Sequence, residues 1–440
     1  MNAMLPAAPP SPLVLSEATF ALTLALLLLA PLAIAGVALI NTGLGRCRSA
    51  AQALLGSLVL VAVAIIVFAL AGSSIAGNLP GASGSAGHIL HFAGKNWNLL
   101  GAAPLLLGGF GSAPPLSQLA LLFEFLAAAL AALVCWGSGA DRLRLTAGCA
   151  AAAFLAALVF PLLAHWVWNG GWLAQLGANF SLGAGFLDPG GAATVHVLGG
   201  LSALAVVWIA GPRKGKFPKE GLSTAMPGHN AVYVLFGCLL ALVGWLGWNV
   251  AGAVIWLHAP LAALPATAVN TLLSAAGALV ATFAVTRLRF GKPDASLCAN
   301  GWLAGLVASS ACAAIVEPGA ALFVGAVAGI ATPLLVELLE LALSIDDPSG
   351  AISVHAMGGL WGLLAAGIFA PQTGQLLAQL AGIATLLGLV LPLVYLLFWL
   401  LNRVVAFRVD PDGERIGMDL HELGGGAYPE FVIHRDESYQ

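Results

Sequence analysis

Charge is what this sequence has least of. Asp, Glu, Lys and Arg make up 8% of the 440 residues, against 60% hydrophobic residues and a mean hydropathy of +0.97. A soluble globular surface needs about a quarter charged residues overall, so that class is excluded and a polytopic membrane protein remains. The first fifteen residues contain no Lys or Arg, which excludes the positively charged start of a secretory signal and leaves residues 18 to 41 as a retained first span. The six cysteines (Cys47, Cys135, Cys149, Cys238, Cys298 and Cys312) show no metal or redox spacing, so they read as small buried hydrophobes, and neither metal nor cofactor is expected. No nucleophile or metal set stands at catalytic spacing, which counts against an intramembrane enzyme.

Apolar runs long enough to cross a bilayer, about 20 residues each, fall at 18 to 41, 50 to 72, 117 to 138, 146 to 167, 192 to 211, 230 to 256, 263 to 287, 296 to 315, 319 to 343, 351 to 370 and 376 to 402. Eleven spans put the termini on opposite faces. Arg46 and Arg48 follow span one, Arg142 and Arg144 span three, and Arg213, Lys214, Lys216 and Lys219 span five. Arg287, Arg289 and Lys292 follow span seven, and Arg403, Arg408, Arg415 and Arg435 span eleven, leaving Lys95 alone on the other side. The positive-inside rule then places the N-terminus outside and the C-terminus in the cytoplasm. The expected organisation is a transmembrane domain over residues 1–402, followed by a cytoplasmic tail, 403–440. The loops 73 to 116 and 168 to 190 lie outside and suggest a vestibule facing the periplasm or medium.

One stretch occurs twice. Residues 188 to 201 read DPGGAATVHVLGGL and residues 347 to 360 read DPSGAISVHAMGGL, with nine identities in fourteen positions. Each copy is a loop aspartate and a helix-starting proline, followed by a histidine inside a glycine-rich helix. His196 lies on span five and His355 on span ten; five spans apart, the copies must run in opposite directions. The fold expected is all-α, an inverted repeat of five plus five helices (halves about 18–211 and 230–370) with a final helix, an arrangement that places a substrate site near the midplane. Two histidines at matching depth in a bilayer form a functional hypothesis, since neutral imidazoles can share one proton. Gly199, Gly200, Gly358 and Gly359 permit close helix approach. Carrying a full charge through such a lining costs on the order of tens of kcal/mol in the idealised limit. Removing a proton from an amine about two units below its pKa costs only about 3 kcal/mol. A solute that deprotonates and passes as a neutral molecule fits best.

These residues resemble the ammonium transporter (Amt/Rh/Mep) family, closer to its Amt branch. The resemblance rests on DPGGAATVH and IDDPSGAISVHAMGGLWGLLAAGIFA, together with VWNGGWLA, GWLGWNVAG, ANGWLAGLVASSAC and the tail phrase GMDLHELGGGAYPE, with Gly417, Asp419, Gly424 and Tyr428. It implies a homotrimer with a pore in each subunit, carrying ammonium or ammonia and methylammonium as a second solute, in a bacterial inner membrane, with a PII-type regulatory protein as cytoplasmic partner. Trp168 matches the family's cation-π tryptophan, Asp188 an aspartate needed near that site, and His196 and His355 the twin pore histidines. Asp188 is also readable as the N-cap of span five.

The departures from the family pattern lie at the outer gate. Ala127 and Trp248 stand where two stacked phenylalanines are usual, Phe123 matches an upper aromatic, Glu124 replaces a glutamine, and Gly252 replaces a vestibule serine. Glu124 is read either as a cation-attracting or proton-accepting carboxylate or as a protonated bystander. Glu337 and Glu340 are expected to face water or another subunit, and His165 and His258 to be ordinary interfacial residues. The alternative to transport is an ammonium-sensing receptor on the same scaffold with little or no conduction.

Overall fold

The computed structural model describes residues 15–79, 88–220 and 223–428. Residues 1–14, read above as a start that is no signal, lie outside these, as does Arg435. Among the described residues, eleven helical spans are long and apolar enough to cross a membrane: Glu17–Leu44, Cys47–Ala76, Pro115–Ser138, Leu145–Val167, Ala192–Ala210, Ala231–Leu257, Leu261–Phe290, Ala295–Cys312, Pro318–Ala342, Ala351–Phe369 and Gln375–Asn402. They are numbered one to eleven. The expected outer loop 73 to 116 contains an antiparallel hairpin, His88–Phe92 with Lys95–Leu100, which helical periodicity could not reveal.

Two sets of loops gather at opposite ends of the bundle. At one end, Arg213 after span five pairs with Asp141 after span three (3.0 Å) and with Asp346 before span ten (2.9 Å). Arg142 is fully buried beside them and donates to the carbonyls of Gly211 and Asp346. The amide of Arg46, after span one, donates to Asp141, and Arg408, after span eleven, donates to the Ala210 carbonyl. At the other end, the Trp166 indole donates to the Leu99 carbonyl, and Gln375 and Gln379 donate to the carbonyls of Gly185 and Leu187. Span five starts at the second end and span ten at the first, so the two copies of the repeat are antiparallel. The inverted architecture is therefore present. The basic loop residues carry more than topology, since Arg142 and Arg213 are buried ion partners, where the sequence reading took them for loop charges.

The copies also match in detail. Gly191 (φ 77°) and Gly350 (φ 70°) take the left-handed conformation just before their helices, and both helices open with a wide π turn, Ala192–Val197 and Ala351–Ala356. Asp188 accepts from the amides of Ala193 and Thr194, and Asp347 from those of Ala351 and Ile352. A Cβ on Gly200 would lie 2.5 Å from the Ala356 nitrogen, and one on Gly359 would lie 2.7 Å from the Ala192 oxygen. Only glycine lets spans five and ten cross this closely, and the crossing is what brings their histidines together.

The tail lies against the basic end. Asp419 accepts from the amides of Ala51 and Gln52, and Glu422 from that of Leu145, so two tail carboxylates cap the N-termini of spans two and four. Gly417 (φ 103°) passes against Arg48, Gly424 (φ 74°) ends a short turn, and the Tyr428 hydroxyl lies 3.0 Å from His229. Glu340 pairs with Lys216 at 2.7 Å and Glu337 with Arg289, and both carboxylates keep part of their surface exposed.

Burial acts to raise the Asp346 carboxyl, but the hydrogen bonds from Arg213 and the charges of Arg142 and Arg213 outweigh it and hold the group at about 2, below its ordinary 3.8. A depressed carboxyl contributes stability that is fully present above pH about 4 and is lost as the pH falls toward 2, about 2 kcal/mol in all. Asp346→Asn leaves two buried guanidinium groups under-compensated and is expected to cost about 3 kcal/mol at neutral pH. Thermal unfolding in detergent should show a gap between the native chain and the variant that is wide at pH 7 and narrows below pH 4.

Candidate functional site

The centre of the site is the histidine pair. His196 Nδ1 and His355 Nδ1 are 3.2 Å apart, and the rings lie 5.2 Å apart at 28°. Both side chains are buried, and among the described residues His196 Nε2 has no hydrogen-bond partner. Two nitrogens at that distance need one hydrogen between them, so the neutral rings must be opposite tautomers, one donating and one accepting. His196 is also stacked on Trp245 at 5.1 Å and 14°, and the Trp245 indole is anchored on the Ser310 hydroxyl.

From Trp245 an aromatic face runs along span six toward the second end of the bundle. Trp245, Trp248, Gly252 and Trp256 stand three, four and four residues apart, the spacing of one helical face about 16 Å long. Trp248 packs on Phe123 at 4.5 Å and donates to the Gly190 carbonyl. Trp256 stacks on Trp168 at 5.0 Å and 7°, and Phe123 meets Trp168 edge-on at 5.4 Å. Ala127, one turn from Phe123 on span three, is fully buried. Of the residues singled out at the gate, the fold thus gathers Phe123, Trp168 and Trp248 into one cluster. Trp245 and Trp256 were missed, although the spacing along span six carried the signal.

The turn before span five closes the other side of this cluster. The Trp168 indole donates to the Asp188 carbonyl at 2.7 Å, while Asp188 Oδ2 accepts from two amides and the Thr194 hydroxyl at 3.0 Å each. Asp188 therefore caps span five and, through its carbonyl, orients Trp168. Burial raises its carboxyl to about 6, although the hydrogen bonds from Thr194 and Ala193 work against that rise. Asp347 stands at about 6 for the same first reason, in the matching place before span ten. The Gly190 amide donates to the Ser310 carbonyl at 2.7 Å, and Asn249 beside it donates to Thr271 and Ser309. Gly252 has a steric reason to lack a side chain, because a Cβ there would overlap the Pro189 carbonyl oxygen.

Glu124 is fully buried and accepts from Asn169 at 2.6 Å. His165 is also buried, its Nδ1 lying 3.0 Å from the Ala76 carbonyl in the last turn of span four. His258 ends span six at φ 54°. The tail residues Gly417, Asp419, Gly424 and Tyr428 lie at the basic end, away from the aromatic cluster.

The model of the Ammonium Transporter Family matches residues 19–428. Ammonium transporter Amt2 of Archaeoglobus fulgidus is 34% identical over 92% of this chain and 86% of its own length. Ammonium transporter Amt2 of Haloferax mediterranei is 32% identical over 90% of this chain and 87% of its own. Among solved structures, one titled Sensor Amt Protein superposes with a TM-score of 0.81 at 27% identity, covering 92% of this chain and 97% of that one. Candida albicans Mep2 superposes at 0.74 with 26% identity, covering 94% and 91%. With the family matched along nearly the whole chain and the fold shared over the same extent, this integral membrane protein belongs to the ammonium transporter family.

Proposed function

We propose that the chain moves ammonium across the membrane by gathering the cation at the Trp168–Trp256 stack, removing its proton, and passing ammonia along His196 and His355, with or without a relayed proton. The observation that carries this reading is the buried histidine pair at 3.2 Å, held by two antiparallel copies of one sequence. Stacked indoles attract a cation through their ring faces. Phe123 and Trp248, both buried and in contact, form the gate between that stack and Trp245 on His196. Ala127 leaves room on span three, where the resemblance leads one to expect a second ring, and the larger Trp248 ring stands across from it on span six.

The homotrimer, methylammonium as a second solute, and a PII-type partner on the tail-bearing face belong to the same proposal and rest on the family resemblance. Residence in a bacterial inner membrane stays part of it too, since the two relatives described above are archaeal and carry only the membrane placement. The receptor reading has one observation in its favour, the likeness to a protein titled as a sensor. The transport reading is preferred because the histidines add nothing to a site that only binds ammonium at the vestibule.

Current and flux in proteoliposomes after an ammonium jump separate the two. His196→Ala and His355→Ala are expected to lower selective flux at least tenfold; binding without flux in the unaltered chain would establish the receptor instead. At the vestibule, Gly252→Ser introduces a hydroxyl but forces Pro189 to move. The overlap is expected to cost about 2 kcal/mol of stability and to weaken ammonium binding by loosening the Asp188 cap, measurable as a lower unfolding midpoint together with a raised half-saturation concentration.

A further inference from the structure

Beside the route described above lies a polar cluster that it does not use. Glu124 follows Phe123 and points about 100° away from it around span three. Its Oε1 accepts from Asn169, the residue after Trp168, and the same Asn169 nitrogen donates to the Ala76 carbonyl at 2.9 Å. His165 Nδ1 meets that carbonyl too; because a carbonyl only accepts, Nδ1 carries the hydrogen and Nε2 is left as an acceptor. Among the described residues, Glu124 Oε2, His165 Nε2 and Asn78 Nδ2 are buried with no hydrogen bond of ordinary geometry, and the Asn78 amide lies beside Glu124.

A glutamine could hold Asn169 equally well through its amide oxygen, so the structural task does not require a carboxylate. A carboxylate differs in being able to carry charge and to take a proton. Buried, with only the neutral amides of Asn169 and Asn78 beside it, an ionised Glu124 has no charged partner, and an arriving cation or proton relieves it. We propose that Glu124 is the proton acceptor of the outer vestibule and so sets the pH dependence of transport, an inference that rests on the transport reading above. When an ammonium ion moves from the Trp168–Trp256 stack against Glu124 Oε2, one N–H bond breaks, and its electron pair stays on nitrogen. The proton forms an O–H bond at Oε2, leaving neutral ammonia and a neutral carboxyl. Ammonia continues toward the histidines. The carboxyl then returns its proton to the outer solution, so one ammonia crosses and one proton stays behind.

Among the described residues, the titratable or charged groups on the surrounding elements are Glu17 at the start of span one, His165 at the end of span four, Asp188 ahead of span five, His258 at the end of span six and Lys95 of the hairpin, which lies over Phe180. The test uses the full chain in proteoliposomes with ammonium jumps over a range of outer pH. Glu124→Gln keeps the size and the Asn169 contact. It is expected to lower flux at least tenfold at neutral pH and to regain it as the outer pH rises and the solution itself supplies ammonia. Glu124→Asp should keep the native pH profile at a reduced rate, and His165→Gln should leave the profile unmoved. Three results overturn the proposal: a native rate and profile in Glu124→Gln, a loss by the same factor at every pH, or a profile that follows His165. Failure of the transport reading itself shows separately, as no flux in the unaltered chain that depends on His196 and His355.

Discussion

Everything at the centre of this molecule depends on how closely two helices can cross. Spans five and ten each carry a Gly-Gly pair one turn beyond their histidine, and the second glycine of each pair faces the backbone of the partner helix. The first glycine faces a neighbour instead: Gly199 meets Val134 of span three and Gly358 meets Ala304 of span eight, the symmetry-related span. The pairs thus fix helix positions on two sides at once. A methyl group at either crossing glycine would push the axes apart, and imidazoles that meet at 3.2 Å would lose their shared hydrogen. In a bilayer interior no water replaces that partner cheaply. The sequence repeat is therefore a packing device first, and the polar pair is its consequence.

The internal symmetry stops where chemistry at the two mouths begins. Beyond His196 stand the rings of one face of span six and those of Phe123 and Trp168, with backbone carbonyls accepting from the Trp168 and Trp248 indoles. At the opposite end the corresponding aspartate, Asp347, is preceded by Asp346, which binds Arg213 and Arg142. One mouth is an aromatic cage with buried carboxylates, and the other is a buried ionic knot with tail carboxylates capping two spans. The ionic end ties together loops that follow spans one, three, five and nine, so it sets the relative positions of the helices whose other ends shape the cage.

What could be read beforehand follows from the length scale of each signal. Eleven apolar runs, the repeat and the two histidines are properties of contiguous sequence, and they reappear with ends shifted by a few residues. Phe123, Trp168 and Trp248 could be singled out because each stands in a recognisable segment, and the fold brings their rings into one cluster. Trp245, in the middle of span six, and Trp256, at its end, escaped because only their register with Trp248 marks them. The ionic knot escaped for a different reason: Asp141, Arg142, Arg213 and Asp346 lie in three separate loops, each of which looks like an ordinary charged connection. Gly252 was legible as a missing hydroxyl, but its cause, the Pro189 carbonyl, is a contact across 63 positions of chain that no local pattern encodes.

The difference between the mouths bears on what the protein can and cannot do. On the proposed reading, the aromatic end lowers the free energy of a cation and supplies a place for its proton, while the paired histidines serve a solute that is already neutral. That arrangement decides where the proton is lost and at what pH the step is fast. It does not decide the direction of net movement, because a site that favours deprotonation on the way in must favour protonation equally on the way out. Direction comes from the gradients on the two sides. An asymmetric channel around a symmetric pair of histidines is therefore consistent with passive flow, and what its asymmetry controls is rate and selectivity.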